Sequence, residues 1–354
     1  MKTPDLSAVA AGRRLSYGAA LRESLAQSMR RDPRIVVLGE GVDDPSGVFG
    51  STLQLHVEFG SDRVVDTPLA EEAVTGIANG AALCGLRPVV VHARVEFLLL
   101  ALNQVLNHAA KWRAMYGPRS TMPVVYRAVI GRGWGQGAQH SQSLQSLFLN
   151  VPGLAVVMPA TASDAKGLLA RALESNGPVV FIEHRQLYGL EEDVPVEHYS
   201  IPFGRARVHR TGDDLTIVAW SQMLHEALRA AEALAATGVN AEVIDPRTLA
   251  PLDEATIFAS VARTGRLVIA ENGWTDCGPS AEIAARCAGA IFDNLRAPIA
   301  RVGFPRLATP SSHVLEHAYY PNWETIRDSA LATLELRGAG RREVSDAHSL
   351  RESW

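Results

Sequence analysis

Val64-Val65-Asp66-Thr67-Pro68-Leu69-Ala70-Glu71 opens the stretch that decides the fold, which continues through Glu71–Cys84 to Gly85-Leu86-Arg87-Pro88-Val89-Val90-Val91. Val64–Asp66 and Pro88–Val91 are short apolar runs, as buried strands are. Between them, Ala73, Gly76, Ala78, Gly80, Ala81 and Ala82 predict a closely packed helix, buried on every side, with Gly85 as its stop. Strand, helix, strand at this spacing is a parallel crossover unit.

The alternation extends in both directions. Leu21, Leu25 and Met29 place a helix over Leu15–Arg31, and Ile35–Leu38 follows as a strand. Downstream, helices are expected at Leu98–Tyr116, Ser141–Leu149 and Ser163–Glu174. Strands are expected at Pro123–Ile130, Ala155–Met158 and Val179–Glu183. Tyr188–Pro202 is polar and proline-marked, as a linker is. A second alternating unit has strands at Leu215–Trp220, Asn240–Ile244, Arg266–Ala270 and Ile299–Val302. Its helices are Met223–Thr237, Asp253–Thr264 and Ser280–Phe292. The fold class is therefore α/β, with two doubly wound domains. The reading divides the chain into an extension (1–14), a first domain (15–190), a linker (191–210), a second domain (211–336) and a charged, aperiodic tail (337–354) expected to be mobile.

Composition agrees with two soluble cores: of 354 residues, 47% are hydrophobic and 20% charged. A net charge of -4 argues against nucleic acid or an anionic membrane as partner. Cys84, Cys277 and Cys287 form no C-x-x-C pair, which fits a reducing compartment. The start lacks an apolar signal core, and Val89–Val91 is too short to span a bilayer. A cytoplasmic protein is expected.

Four segments carry candidate chemistry. Glu71 follows a strand and a Thr-Pro turn and opens a helix; an acid there complements the helix dipole, and partial desolvation would raise its proton affinity. Gly131-Arg132-Gly133-Trp134-Gly135-Gln136-Gly137-Ala138-Gln139-His140-Ser141-Gln142 ends a strand, where open parallel sheets bind ligands. There His140 is expected at a helix entry, able to exchange a proton near neutrality; the alternative is a flexible loop with Ser141 as a helix cap. The third segment is His92-Ala93-Arg94-Val95-Glu96-Phe97. Phe97 alone reads as core, while His92, Arg94 and Glu96 are unusual beside it. Arg94 either faces a carboxylate or phosphate or pairs with Glu96. The fourth is Gly39-Glu40-Gly41, which as a bare pattern is a turn. Gly133-x-Gly135-x-x-Ala138 matches a dinucleotide fingerprint only weakly, because no acid follows about twenty residues on. Metal-ligand spacings are absent.

In this order the segments resemble the beta subunits of pyruvate and branched-chain 2-oxo acid dehydrogenases. The likeness runs from Leu15 to Leu336 and includes Leu38-Gly39-Glu40, Asp66-Thr67-Pro68, Asn107-His108-Ala109-Ala110-Lys111, Gln139-His140-Ser141-Gln142 and Val243-Ile244-Asp245-Pro246-Arg247-Thr248-Leu249. The resemblance implies a transketolase-like pyrimidine-binding domain followed by a transketolase C-terminal domain. It implies thiamine diphosphate as cofactor, decarboxylation of a small 2-oxo acid, and acyl transfer to the lipoyl group of an acyltransferase. Glu71 then matches the glutamate that hydrogen-bonds the cofactor's aminopyrimidine and activates it. Phe97 matches an aromatic residue packed on that ring. His140 matches a histidine facing substrate and lipoyl group, with Gln139 beside it, and Glu40 an acid between paired sites. Relatives of this kind carry an acidic and then apolar run where this chain has Val91-His92-Ala93-Arg94, and a Pro-Phe-Ala-like run at Pro310-Ser311-Ser312-His313. His92 and Arg94 are therefore substrate-side candidates.

The Gly-Asp-Gly start of a diphosphate and Mg2+ anchor is missing; Gly212-Asp213-Asp214 is the nearest sequence. The resemblance then implies an alpha subunit that supplies the anchor and Mg2+, in an alpha-two beta-two heterotetramer. Rival readings are a split transketolase or acyloin-forming subunit, and a non-catalytic scaffold.

Overall fold

A computed structural model describes residues 13–133 and 135–335. The segment before residue 13 and the expected tail lie outside the described residues. The strands are β1 (Arg14–Ser16), β2 (Ile35–Gly39), β3 (Val64–Asp66), β4 (Arg87–His92), β5 (Val125–Ile130), β6 (Ala155–Val157) and β7 (Val179–His184), then β8 (Glu191–Asp193), β9 (Arg207–Arg210), β10 (Leu215–Ala219), β11 (Ala241–Asp245), β12 (Thr248–Ala250), β13 (Leu267–Trp274) and β14 (Ala300–Phe304).

Seven strands form the first sheet, in the order β12-β6-β7-β5-β4-β2-β3. All neighbours pair in parallel except β12, which runs antiparallel to β6. The second sheet, β14-β13-β10-β11-β9, is parallel apart from β9 at its edge. Both are covered by helices, so the chain is an α/β protein of two doubly wound units, as the alternation predicts.

Local chemistry sets the main helix ends. Ser16 caps Tyr17–Arg31 by accepting from the Ala19 N–H, Thr161 caps Ala162–Glu174, and Asp253 caps Glu254–Thr264. Tyr17, Leu21, Leu25 and Met29 pack with Leu168 and Leu169 on one face of the first sheet. On the other face, one apolar cluster runs from Val74 and Val105 through Ile182 to Trp220 and Ile269. The two sheets thus share a core, and β12 adds a hydrogen-bonded tie between them.

Inside the first sheet, Glu183 on β7 accepts two bonds from Arg127 on β5, at 2.6 and 2.9 Å, while Arg127 also donates to Ser51. Both charges are buried and compensate each other there.

Several expectations need correction. Helix Glu71–Leu83 is not buried on every side: Ile77 and Leu83 are exposed, and Leu69, Leu86 and Leu100 also face outward. The long helix expected at Leu98–Tyr116 starts earlier and changes pitch. An α-turn at Val95–Leu98 leads through a 3-10 turn into a π-helix at Asn103–Ala109, where the Ala110 N–H reaches the Val105 carbonyl. Ser141–Leu149 is not one helix. Short turns at Gly137–His140 and Ser146–Leu149 flank an irregular stretch, so His140 closes a turn rather than opening a helix. Ser141 therefore closes the preceding turn instead of opening the next one. The polar stretch after Tyr188 contributes β8, antiparallel to β1, and β9 lies within the expected linker.

Candidate active site

From β2 the chain crosses to β3 on one side and returns to β4 on the other, so strand order reverses around β2. Crevices at such reversals, beyond the carboxyl ends of strands, are where open parallel sheets bind ligands. Here Gly39 and Glu40 end β2, Thr67 to Leu69 follow β3, and Val90 to Ala93 end β4. With Glu71, Val74 and Phe97 they line one slot.

Glu71 is half-buried in the first helical turn, and among the described residues nothing donates to its carboxylate. Glu40 is exposed; beside it the Gly41 N–H donates to Asp66 Oδ1 at 2.7 Å, which fixes the turn. Phe97 is half-buried and meets the His140 ring edge-on, with centroids 5.6 Å apart. His140 Nδ1 is buried without a partner. His92 is 5% exposed, and burial lowers its pKa to about 4, so it is neutral near pH 7. Gln139 is exposed.

Arg94 is buried and turned away from the slot. Its Nη1 donates to the Gly131 carbonyl at 2.5 Å and its Nη2 to Gln136 Oε1. Glu96 accepts from the Gln142 N–H at 2.6 Å, and no ion pair joins it to Arg94 among the described residues. Burial raises the Glu96 pKa; the Gln142 bond, the Arg94 charge and His140 oppose the rise. The structure thus brings Glu40, Glu71, His92 and Phe97 to one slot and sets His140 on Phe97. Arg94 holds the glycine loop behind them.

The slot encloses about 20 Å3, room for little more than a water, so a ring would dock at its mouth. Glu71 also borders an open hollow of about 630 Å3 with Gly76, Leu100 and Gln104. An unpaired carboxylate, an aromatic face and the apolar floor of Val74, Val90 and Val91 fit an amphipathic aminopyrimidine. The Gly212-Asp213-Asp214 stretch offers no free acid for a metal-diphosphate anchor: Asp213 pairs with Arg263, and Asp214 accepts from the Asn240 N–H.

Sequence spacing did not reveal the long-range neighbours. His184 sits against Gly131, where a Cβ would lie 2.6 Å from its ring, and Ser311 of the second unit sits against Gly137, at 2.1 Å by the same measure. Both glycines have positive φ, so side chains there are excluded twice over. Asp164, His209 and Asp245 also converge, with ligand-type atoms within 4.8 Å of one another. Arg247, at 2.9 Å, and Arg207, at 3.6 Å, already neutralise Asp164, so this cluster is an ionic junction between the units rather than a cation cradle.

A slot at the reversal point of one parallel sheet, with a second parallel unit packed against the first, is the arrangement of a two-unit α/β ligand-binding protein. Residues 13–191 match the family described as transketolase, pyrimidine binding domain, and residues 204–326 match transketolase, C-terminal domain. The chain is 43% identical to the beta subunit of acetoin:2,6-dichlorophenolindophenol oxidoreductase from Cupriavidus necator, over 91% of this chain and 98% of that one. It is 39% identical to the 2-oxoisovalerate dehydrogenase subunit beta of Bacillus subtilis, over 88% and 96%. Identity to the pyruvate dehydrogenase E1 component subunit beta of Rhizobium meliloti is 40%, over 88% and 68%. A solved split-gene transketolase in an inactive beta4 tetramer shares the fold, with a TM-score of 0.75 at 23% identity, over 91% of this chain and 99% of that one. The chain belongs to the family of 2-oxo acid dehydrogenase E1 beta subunits, within the transketolase-like thiamine-diphosphate proteins. Among the described residues, no helix is long and apolar enough to cross a membrane.

Proposed function

We propose that this chain is the beta half of an alpha-two beta-two enzyme that cleaves the bond between the carbonyl and carboxyl carbons of a 2-oxo acid. The acyl fragment passes to a lipoyl group on a partner acyltransferase. The observation that carries this reading is the unpaired Glu71 carboxylate at the mouth of a slot that also holds Phe97. Thiamine diphosphate, when bound, supplies a carbon nucleophile and an electron sink for the cleavage. Glu71 would hold the pyrimidine edge by a hydrogen bond and move a proton there. Phe97 would pack on the ring face and exclude water. His140, in edge contact with Phe97, offers an imidazole for proton transfer to substrate or acceptor. The diphosphate and Mg2+ would be held mainly by the alpha subunit.

A second reading takes a 2-hydroxy ketone as the donor. The 43% identical relative, named for acetoin, favours it. So does the charge of the slot, where Glu40 and Glu71 are acidic, His92 is neutral near pH 7, and the Arg94 donors face the glycine loop. Such a lining does not attract a carboxylate, so selection of a 2-oxo acid would fall to the alpha subunit. Reconstitution with the alpha partner, followed by lipoamide and dye-reduction assays on pyruvate, branched 2-oxo acids and acetoin, separates the two. Turnover of the 2-oxo acids supports the first reading; turnover of acetoin alone replaces it with the second.

A further inference from the structure

The loop that carries His140 has glycine at 131, 133, 135 and 137. Glycine-rich backbone has many accessible conformations and does not by itself hold a side chain in place. Yet His140 stands in one defined contact, edge-on to Phe97. Something outside the loop must fix it.

Two side chains on either side of Val95 are hydrogen-bonded to the loop. Arg94, 3% exposed, reaches the stem of the loop at the Gly131 carbonyl and its middle at Gln136 Oε1. Glu96, 9% exposed, takes the backbone N–H of Gln142 just beyond His140. Both residues stand at the turn where β4 gives way to the Val95–Leu98 helix, the helix that also presents Phe97. One rigid element therefore carries Phe97 and grips the His140 segment at its start, middle and exit. The grip is charge-assisted at each point, and such bonds are about twice as strong as neutral ones.

We propose that Arg94 and Glu96 are paired positioning residues that lock the loop at Gly131, Gln136 and Gln142 so that His140 is held against Phe97. The proposal rests on the reading above, in which His140 faces the reacting groups. Supporting residues of this kind matter because a misplacement of about 1 Å can cost on the order of 100-fold in rate.

The test uses the full chain, alone and reconstituted with its alpha partner. Hydrogen exchange over 131–142 should accelerate at least tenfold in Arg94→Met and in Glu96→Ala. Glu96→Gln, whose amide oxygen accepts the same Gln142 bond, should restore protection. Arg94→Lys should not, because one ammonium does not match the two directions of a guanidinium fork. In the complex, Arg94→Met should lower kcat ten- to a hundredfold while the KM for thiamine diphosphate stays within twofold. Unchanged exchange in both Arg94→Met and Glu96→Ala overturns the clamp. Equal acceleration in Glu96→Ala and Glu96→Gln also overturns it, since loss of the acceptor would then not be the cause. His140→Asn tests the underlying reading separately: full turnover in that variant removes His140 from the reaction, while the exchange data still decide whether the clamp exists.

Discussion

Glu71 illustrates how a single position can be both ordinary and decisive. An acid in the first turn of a helix needs no special account, because it complements the dipole. What sets Glu71 apart is its place: the slot at the strand reversal, with no donor among the described residues. Glu71→Gln is expected to lower turnover of the reconstituted enzyme by a factor of about 100 or more, in the range for a lost acid–base group. Steady-state kinetics checks this. His92 carries a different prediction. Its folded pKa of about 4 lies below the ordinary 6.5, so between those values the unfolded chain binds a proton that the folded chain does not. Stability attributable to His92 is thus complete above about pH 6.5 and is lost as pH falls towards 4, with about 2 kcal/mol gone by pH 5. Chemical denaturation of wild type and His92→Gln at pH 7 and pH 5 measures it. An equal loss in both proteins would remove His92 as the cause.

At the scale of elements, the regular parts were legible and the functional loops were not. Ser16, Thr161 and Asp253 are side-chain caps that a sequence displays, and the apolar runs of β2, β4, β5 and β7 need no tertiary context. Segment 141–149 was misread as a helix because its local composition does not record the Glu96–Gln142 and Gln145–Asn272 bonds that shape it. The slot residues Glu40, Glu71, His92 and Phe97, and His140 against Phe97, were legible as separate motifs. Their convergence, and the turning of Arg94 towards the glycine loop, depends on bonds between residues about forty positions apart. The buried pair that joins β5 to β7 was equally invisible. Glu183→Ala leaves Arg127 with an uncompensated charge and is expected to cost about 3–5 kcal/mol, read from the denaturant midpoint. The outward face of helix Glu71–Leu83 makes the opposite prediction. Ile77 is 63% exposed, so Ile77→Asp should change chain stability by no more than about 0.5 kcal/mol. Chemical denaturation of wild type and Ile77→Asp checks this.

For the whole molecule, the two units are welded by a shared apolar cluster, by β12 on the edge of the first sheet and by the ionic junction at Asp164. In the proposed reading, that rigid body presents Glu71 and Phe97 at the pyrimidine end of a site whose diphosphate end an alpha subunit completes. The most direct measurement is turnover by three preparations at matched subunit concentration: the isolated chain with thiamine diphosphate and Mg2+, the reconstituted complex, and the complex carrying Glu71→Gln. Activity is expected only in the second, with the third fully assembled but at least about 100-fold slower. Turnover by the isolated chain, or an unimpaired Glu71→Gln complex, would contradict a cofactor shared between two polypeptides and activated from position 71.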